Sequence, residues 1–349
     1  VWADAVICDY NYVFDPNAHL KRFFSEGSSK GYIFLVDEAH NLVERGREMY
    51  SAVLYKEDFL DLKRCVRETD KKLAALLDGI NRLFLALKRE CETYRVLESV
   101  SHISLKLLHL LTEMERFLEE REGGEEREKV LELYFQVRAF LYIHDIMDEN
   151  YVIYSELEAD GRFKVKLFCI NPAVNLQNYL EQGNGTIFFS ATLLPVRYYK
   201  SLLSVEEDDY AIYVESSFSR ENRLILLGRD VSTKYTRRGP EMYRRIAEYI
   251  LCTAKSRRGN YIAFFPSYRM LEEVYEYFRQ EKGDMESAAQ TQYMSEKERE
   301  EFLELFETER RESFVGFCVM GGIFSEGIDL AEERLIGAVI VGTGLPQVC

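Results

Sequence analysis

One stretch constrains this chain more than any other: Ile33-Phe34-Leu35-Val36-Asp37-Glu38-Ala39-His40. Four apolar residues, introduced by Gly31 and Tyr32, run straight into two adjacent carboxylates. A short unbroken apolar run is the pattern of a strand buried on both faces of a parallel sheet. The carboxylates then fall at the strand's carboxyl end, the edge where open α/β sheets bind ligands. There, one carboxylate can hold a Mg²⁺ ion that bridges phosphate oxygens, and the next can orient or deprotonate an attacking water. The order assigns the metal to Asp37 and the water to Glu38. His40 either senses the state of a bound nucleotide or caps the following turn. The same residues also suit a strand that ends in a solvated acidic turn.

The rest of the chain decides between these readings, and its composition sets the bounds. With 349 residues there is room for two or more domains with sizeable cores. Hydrophobic residues make up 47% and charged residues 30%, the balance of a soluble globular protein. No stretch approaches the roughly 18 uninterrupted apolar residues of a membrane span, and the start shows neither a basic region nor an apolar core segment. Cys8, Cys65, Cys91, Cys169, Cys252, Cys318 and Cys349 form no Cys-x-x-Cys pair. Their wide, irregular spacing reads as reduced small hydrophobes, not as a metal or disulfide framework. The net charge of −15 argues against a protein that coats nucleic acid with its whole surface, yet leaves room for a local basic groove.

In chain order, residues 3–8 read as a strand, followed by helix-like sequence to about residue 25 and a glycine-serine loop before the central strand. The character changes between residues 52 and 150. Proline is absent there, glycine is scarce, and Leu, Glu, Lys and Arg dominate. Leu73, Leu76, Leu77 and Ile80, then Leu107, Leu108, Leu111 and Met114, recur at helical spacing. Gly123-Gly124 marks a hairpin between two helices, and the segment reads as four helices with no strand. Two apolar-alternating runs flank Asp160-Gly161, a β-hairpin signal, and Pro172 suits a helix start. Gly185-Thr186-Ile187-Phe188-Phe189-Ser190-Ala191-Thr192 is a second buried strand. Its hydroxyls either bond a neighbouring carboxylate and report its state, or simply end the strand and cap the next helix.

Beyond about residue 201 a second α/β unit begins. Strands are expected at 222–227, 260–265, 314–320 and 335–341, and helices at 240–254, 270–280 and 295–306. The last helix opens on the capping box Ser295-Glu296-Lys297-Glu298. Ser325-Glu326-Gly327-Ile328-Asp329 follows a strand directly, and glycine-freed amides there can approach phosphates, or make an ordinary strand-to-helix turn.

Singly these segments are suggestive; their order is specific. Val36-Asp37-Glu38-Ala39-His40, a long insertion, Ser190-Ala191-Thr192, Phe264-Phe265-Pro266-Ser267-Tyr268 and Ser325-Glu326-Gly327-Ile328-Asp329 together resemble the XPD/DinG-like branch of the superfamily 2 DNA helicases. Asp37-Glu38-Ala39-His40 stands where that family has its Walker B box. The run from Ala3 to Pro16 is similar to the family's segment before Walker B, and Gly344-Leu345-Pro346 to its stretch after motif V. The resemblance implies an α/β fold of two RecA-like motor domains, the first one partial. Residues 1–51 and 151–200 would belong to motor domain 1, residues 52–150 to an all-helical arch insertion, and residues 201–349 to a C-terminally truncated motor domain 2.

It also implies ATP as cofactor with Mg²⁺ held by Asp37 through water, Glu38 activating the hydrolytic water, and His40 beside them. Ser190, Thr192, Gly327 and Asp329 would couple nucleotide state to motor closure and DNA grip. Tyr12, Ser267 and Tyr268 would face single-stranded DNA, the partner together with duplex junctions. The implied activity is ATP-driven translocation and unwinding with 5′→3′ polarity in DNA repair or replication, in a cytoplasmic protein of bacterial type. No Gly-Lys-Thr phosphate loop occurs in these residues. The family's iron–sulfur cysteines and its terminal arginine motif have no match here either, so the chain reads as an internal fragment without ATP turnover of its own. The competing reading from another class is a catalytically dead DNA-binding or scaffolding relative, which would have no need for an intact Asp37-Glu38 pair. An RNA helicase of the Asp-Glu-Ala-His type is disfavoured by the large insertion.

Overall fold

The computed structural model describes residues 4–23, 31–206, 208–216, 218–325 and 328–344. Glu326, Gly327, Leu345 and Pro346 lie outside the described residues. The chain divides into two compact units, Val1–Val214 and Glu215–Cys349.

In chain order the first unit holds α1 (Asn11–Phe14), β1 (Ile33–Val36), α2 (Ala39–Met49), β2 (Ala52–Tyr55), α3 (Lys56–Val66), α4 (Lys71–Arg89), β3 (Tyr94–Leu97), α5 (Ser101–Glu119), α6 (Glu125–Ile146), β4 (Tyr151–Leu157), β5 (Phe163–Cys169), α7 (Ala173–Leu180), β6 (Gly185–Phe188) and α8 (Val196–Leu203). β1 pairs in parallel with β6, Val36 opposite Phe188. Among the described residues this sheet has two strands. The expectation of burial on both faces fails here. Val36 is buried and Phe34 packs on the core, but Ile33 and Leu35 are each 67% exposed, and Ile187 is exposed too. Helices cover one face only, so an unbroken apolar run became a half-covered strand. Residues 4–8 form no strand, and Val6 and Ile7 are exposed, because no described strand lies beside them.

The insertion is not all-helical. Its four helices α3, α4, α5 and α6 come with β2 and β3, which join the β4–β5 hairpin in an antiparallel sheet of order β2-β5-β4-β3. The hairpin itself turns at Asp160-Gly161, where Gly161 takes φ +89°. Alternate residues of β5, Phe163, Val165, Leu167 and Cys169, face inward, and the helices cover that face: Phe84 meets Phe163 edge-on at 6.4 Å and Phe59 at 5.4 Å. Residues 151–169 therefore hydrogen-bond to the insertion's strands and not to β1 or β6. Strands of four residues are too short to show a period of two, and the Leu/Glu/Lys-rich helices around them dominate the pattern.

Helix α4 shows why these helices form. Leu73, Leu77, Ile80 and Phe84 make one buried stripe, and the Asp70 side chain caps the first turn by accepting the Leu73 amide at 2.9 Å. In α5 the buried stripe is Ile103, Leu107, Leu110, Met114 and Phe117, while Leu108 is exposed. Gly124, at φ +108°, leads into α6.

The second unit holds α9 (Pro240–Ser256), β7 (Asn260–Phe265), α10 (Tyr268–Glu281), β8 (Glu286–Ala289), α11 (Glu296–Glu304), β9 (Phe314–Val319) and β10 (Gly337–Ile340). Its strands pair in parallel in the order β10-β7-β9-β8. Here burial on both faces is realised: every residue of β9 is buried. On one face Phe317 stacks on Phe265 at 5.6 Å and meets Phe278 at 5.0 Å. On the other, Phe314, Phe302, Phe306 and Phe324 form a separate cluster. Gly316 is required for that closeness, since a Cβ there would lie 2.7 Å from the Phe306 ring. The capping box forms as read: Ser295 accepts the Glu298 amide and Glu298 accepts the Ser295 amide. The strand expected at 222–227 does not form. Leu224, Ile225, Leu226 and Leu227 are exposed, with no described strand to pair with them.

Candidate active site

The site grows from the end of β1. Strand geometry stops at Val36, and Glu38 takes φ 45° and ψ 42°, the left-handed region, before α2 begins at Ala39. A non-glycine residue held there costs about 1–3 kcal/mol and persists only where its surroundings over-determine it. The surroundings do so. Asp37 Oδ1 accepts the Glu38 amide at 2.7 Å, the Ala39 amide donates to the Phe189 carbonyl at 3.1 Å, and the Asn41 amide donates to the Glu38 carbonyl at 2.9 Å. The Tyr10 hydroxyl sits between the carbonyls of Asp37 and Glu38, 3.0 Å from the latter.

The parallel pairing of β1 with β6 brings the two sequence-distant motifs together. Ser190, just past β6, donates its hydroxyl to Glu38 Oε2 at 3.0 Å, and its Oγ lies 2.8 Å from His40 Nδ1. A hydroxyl has one proton. With that proton on Glu38, His40 must donate from Nδ1 to Ser190, which fixes its tautomer. His40 Nδ1 is also 3.3 Å from Glu38 Oε2. Thr192 joins through Ser190, Oγ to Oγ1 at 3.4 Å. The carboxylates themselves are exposed at the sheet's carboxyl edge and form no ion pair with lysine or arginine among the described residues. Chemically this is an open acidic edge. One carboxylate has an oxygen free for the water shell of a hard cation, and the other is held by a hydroxyl–imidazole relay.

Four of the residues singled out in the sequence thus meet: Glu38 with His40, Ser190 and Thr192, and Asp37 lies beside them. Others do not join them. Tyr12 is half exposed on α1, and its amide and carbonyl are spent on local turns with Asp9 and Leu20. In the second unit Ser267 caps α10 by accepting the Met270 amide at 3.3 Å. The Tyr268 hydroxyl accepts from Gln290 Nε2 at 2.9 Å, and the buried Gln290 accepts the Val319 amide through Oε1. Tyr268, Gln292, Tyr293 and Ile323 line a cleft of about 460 Å³ at that sheet's carboxyl edge. Asp329 is exposed, and Gly327 lies outside the described residues. Tyr10, Phe189 and Gln290 had no distinguishing signal in the sequence. Tyr10 is one tyrosine among 23, and the other two act through a carbonyl and a buried amide.

Comparison with known proteins gives this geometry a context. Residues 2–59 match the DEAD_2 family model and residues 250–349 match that of the helicase C-terminal domain. Within these matches the chain is similar to XPD-like helicases. The chain is 23% identical over 280 residues to the ATP-dependent DNA helicase XPD of Sulfolobus acidocaldarius, covering 78% of this chain and 47% of that protein. It is 20% identical to the ATP-dependent DNA helicase CHL1 of Saccharomyces cerevisiae, covering 99% and 46%. The chain therefore spans about half the length of these curated relatives. Their organisms lend no support to a bacterial type. In fold it matches the structure of S. tokodaii Xpd4, with a TM-score of 0.56 at 16% identity over 97% of this chain and 65% of that one. A second XPD structure, in the apo form, matches with a TM-score of 0.51 at 18% identity over the same shares.

Proposed function

We propose that the chain carries the hydrolytic edge and much of the DNA-gripping surface of an ATP-dependent DNA helicase, moving 5′→3′ on single-stranded DNA in repair or replication. The observation that supports this best is the cluster of Asp37, Glu38, His40 and Ser190 at the carboxyl edge of β1. An exposed carboxylate with one oxygen engaged by a backbone amide suits Mg²⁺, which prefers hard oxygen ligands and keeps much of its water shell. When bound, that ion would neutralise charge developing on phosphate oxygens. Glu38, held by the Ser190 hydroxyl, orients and deprotonates the attacking water. His40 and Thr192 report its state through Ser190. Asp329 and Gly327 carry that state to the DNA grip of the second unit, where Ser267 and Tyr268 contact the strand, and Tyr12 is the DNA contact of the first unit. Residues 52–150, with the hairpin that pairs with their strands, form the arch. Any iron–sulfur cluster would rest on cysteines outside this sequence.

The 349 residues by themselves do not turn over ATP in this reading. They hold no phosphate-loop Gly-Lys-Thr, and charge placed on the transferred phosphoryl group supplies most of the catalysis, an arginine finger alone contributing about 10³–10⁵ in rate. The test is single-strand-DNA-stimulated ATP hydrolysis by the complete protein beside its Glu38→Gln variant. Stimulation by DNA, lost by about 10²–10⁴-fold in the variant, is the expected result for removal of a general base. DNA binding without hydrolysis in the unmodified protein would replace the motor with a scaffold.

A further inference from the structure

We propose that Tyr10 is a positioning residue for hydrolysis: its hydroxyl clamps the left-handed turn that aims Asp37 and Glu38. The inference rests on the functional reading above and adds to it a residue that acts through the backbone carbonyls of the turn. The chain passes from strand β1 to helix α2 within two residues, and those two residues carry the carboxylates. Their aim is therefore set by the backbone at Asp37 and Glu38, and Tyr10 holds the carbonyls of both.

Tyr10 is itself well anchored. It heads α1, and four residues on, Phe14 is buried against the Phe34 and Tyr179 rings, each 6.5 Å away. The Phe14 carbonyl accepts the Tyr50 hydroxyl at 2.5 Å from the end of α2. The clamp thus ties both ends of α2 to one short helix. The turn has other bonds, from Asp37, Ala39 and Asn41, so losing the phenol should loosen its aim without unfolding it. A displacement of about 1 Å at reacting groups can cost about 10²-fold in rate.

The test is Tyr10→Phe, which removes one oxygen and keeps the ring. In the complete protein we expect the kcat for DNA-stimulated ATP hydrolysis to fall about 10–100-fold, with the KM for ATP within about twofold. In the 349-residue chain we expect faster amide exchange at residues 38–41 and unchanged exchange in β7 and β9. Unchanged kcat with unchanged exchange at 38–41 would overturn the clamp. So would a loss of kcat accompanied by a comparable rise in KM or by faster exchange throughout α2, since that is the mark of a structural role alone. If Glu38→Gln retains full hydrolysis, the functional reading fails instead, and the exchange measurement still judges the clamp.

Discussion

The sheet of β7, β8, β9 and β10 has helices on both faces, whereas that of β1 and β6 is covered on one and leaves Ile33, Leu35 and Ile187 open on the other. Both contain a strand that reads as an unbroken apolar run. In the first case the run is buried throughout, with Phe317 and Phe314 pointing into separate clusters on opposite faces. In the second, apolar residues alternate between core and solvent. The comparison separates two duties. The doubly covered sheet supplies stability to its unit. The half-covered sheet supplies an edge, and the residues that steady that edge are polar and local: the Asp37 carboxylate, the Phe189 carbonyl, the Ser190 hydroxyl and Tyr10.

Substitutions can break or sharpen this contrast. The largest effect is expected from Phe317→Ala, which empties a site packed by Phe265, Tyr275 and Phe278. It should cost about 3–5 kcal/mol, read as faster amide exchange across β7 and β9, with α4 and α5 unaffected. Equal loss of protection in the first unit would show that the two units do not unfold separately.

A smaller effect is expected from Asp70→Ala in the insertion, about 1 kcal/mol for a lost helix cap, checked by urea unfolding. This one depends on pH. Burial alone would raise the Asp70 carboxyl, but the Leu73 amide and the Arg116 guanidinium outweigh it and hold the group below its ordinary range. Its contribution is therefore complete above the ordinary carboxylate pKa of about 4 and is lost as pH falls through the lower folded value. The gap between Asp70→Ala and the unmodified chain should close on acidification. A gap that widens in acid would remove Asp70 from this role.

The smallest effect is expected from Leu35→Ser, less than about 0.5 kcal/mol for a residue two-thirds exposed. A cost above about 2 kcal/mol in the same unfolding measurement would mean that the open face of β1 is covered in solution, and the contrast between the sheets would vanish.

Much of the architecture was legible from residue patterns alone. The helical stripe of α4, the helix at 270–280, the Gly123-Gly124 turn, the Asp160-Gly161 hairpin and the Ser295 capping box each rest on interactions within a few residues, and each formed where the pattern put it. The insertion's sheet was not legible. β2 and β3 are four residues long, and their partners β5 and β4 are distant in sequence. Half of the candidate site was legible as well. Asp37, Glu38, His40, Ser190 and Thr192 declared themselves by type and by position after an apolar run. The roles of Tyr10 and Gln290 did not, because a tyrosine or glutamine acquires such a role only from the carbonyl or hydroxyl it happens to face.

By itself, then, the sequence determined what local chemistry determines: where strands end, which residues cap helices, which glycines turn, and that two carboxylates follow the strand Ile33–Val36. The ordered set of motifs carried the resemblance to the XPD/DinG-like helicases as well. Only the tertiary structure decided which strands pair, which apolar faces are covered, and how an exposed acidic turn is held in a left-handed conformation. The physical reason is range. Capping, turns and helical periodicity act over three or four residues and leave a mark in the sequence. The bonds from Ser190 to Glu38 and from Tyr10 to Asp37 span 152 and 27 residues and exist only once the parallel pairing of β1 with β6 and the packing of Phe14 have brought their ends together.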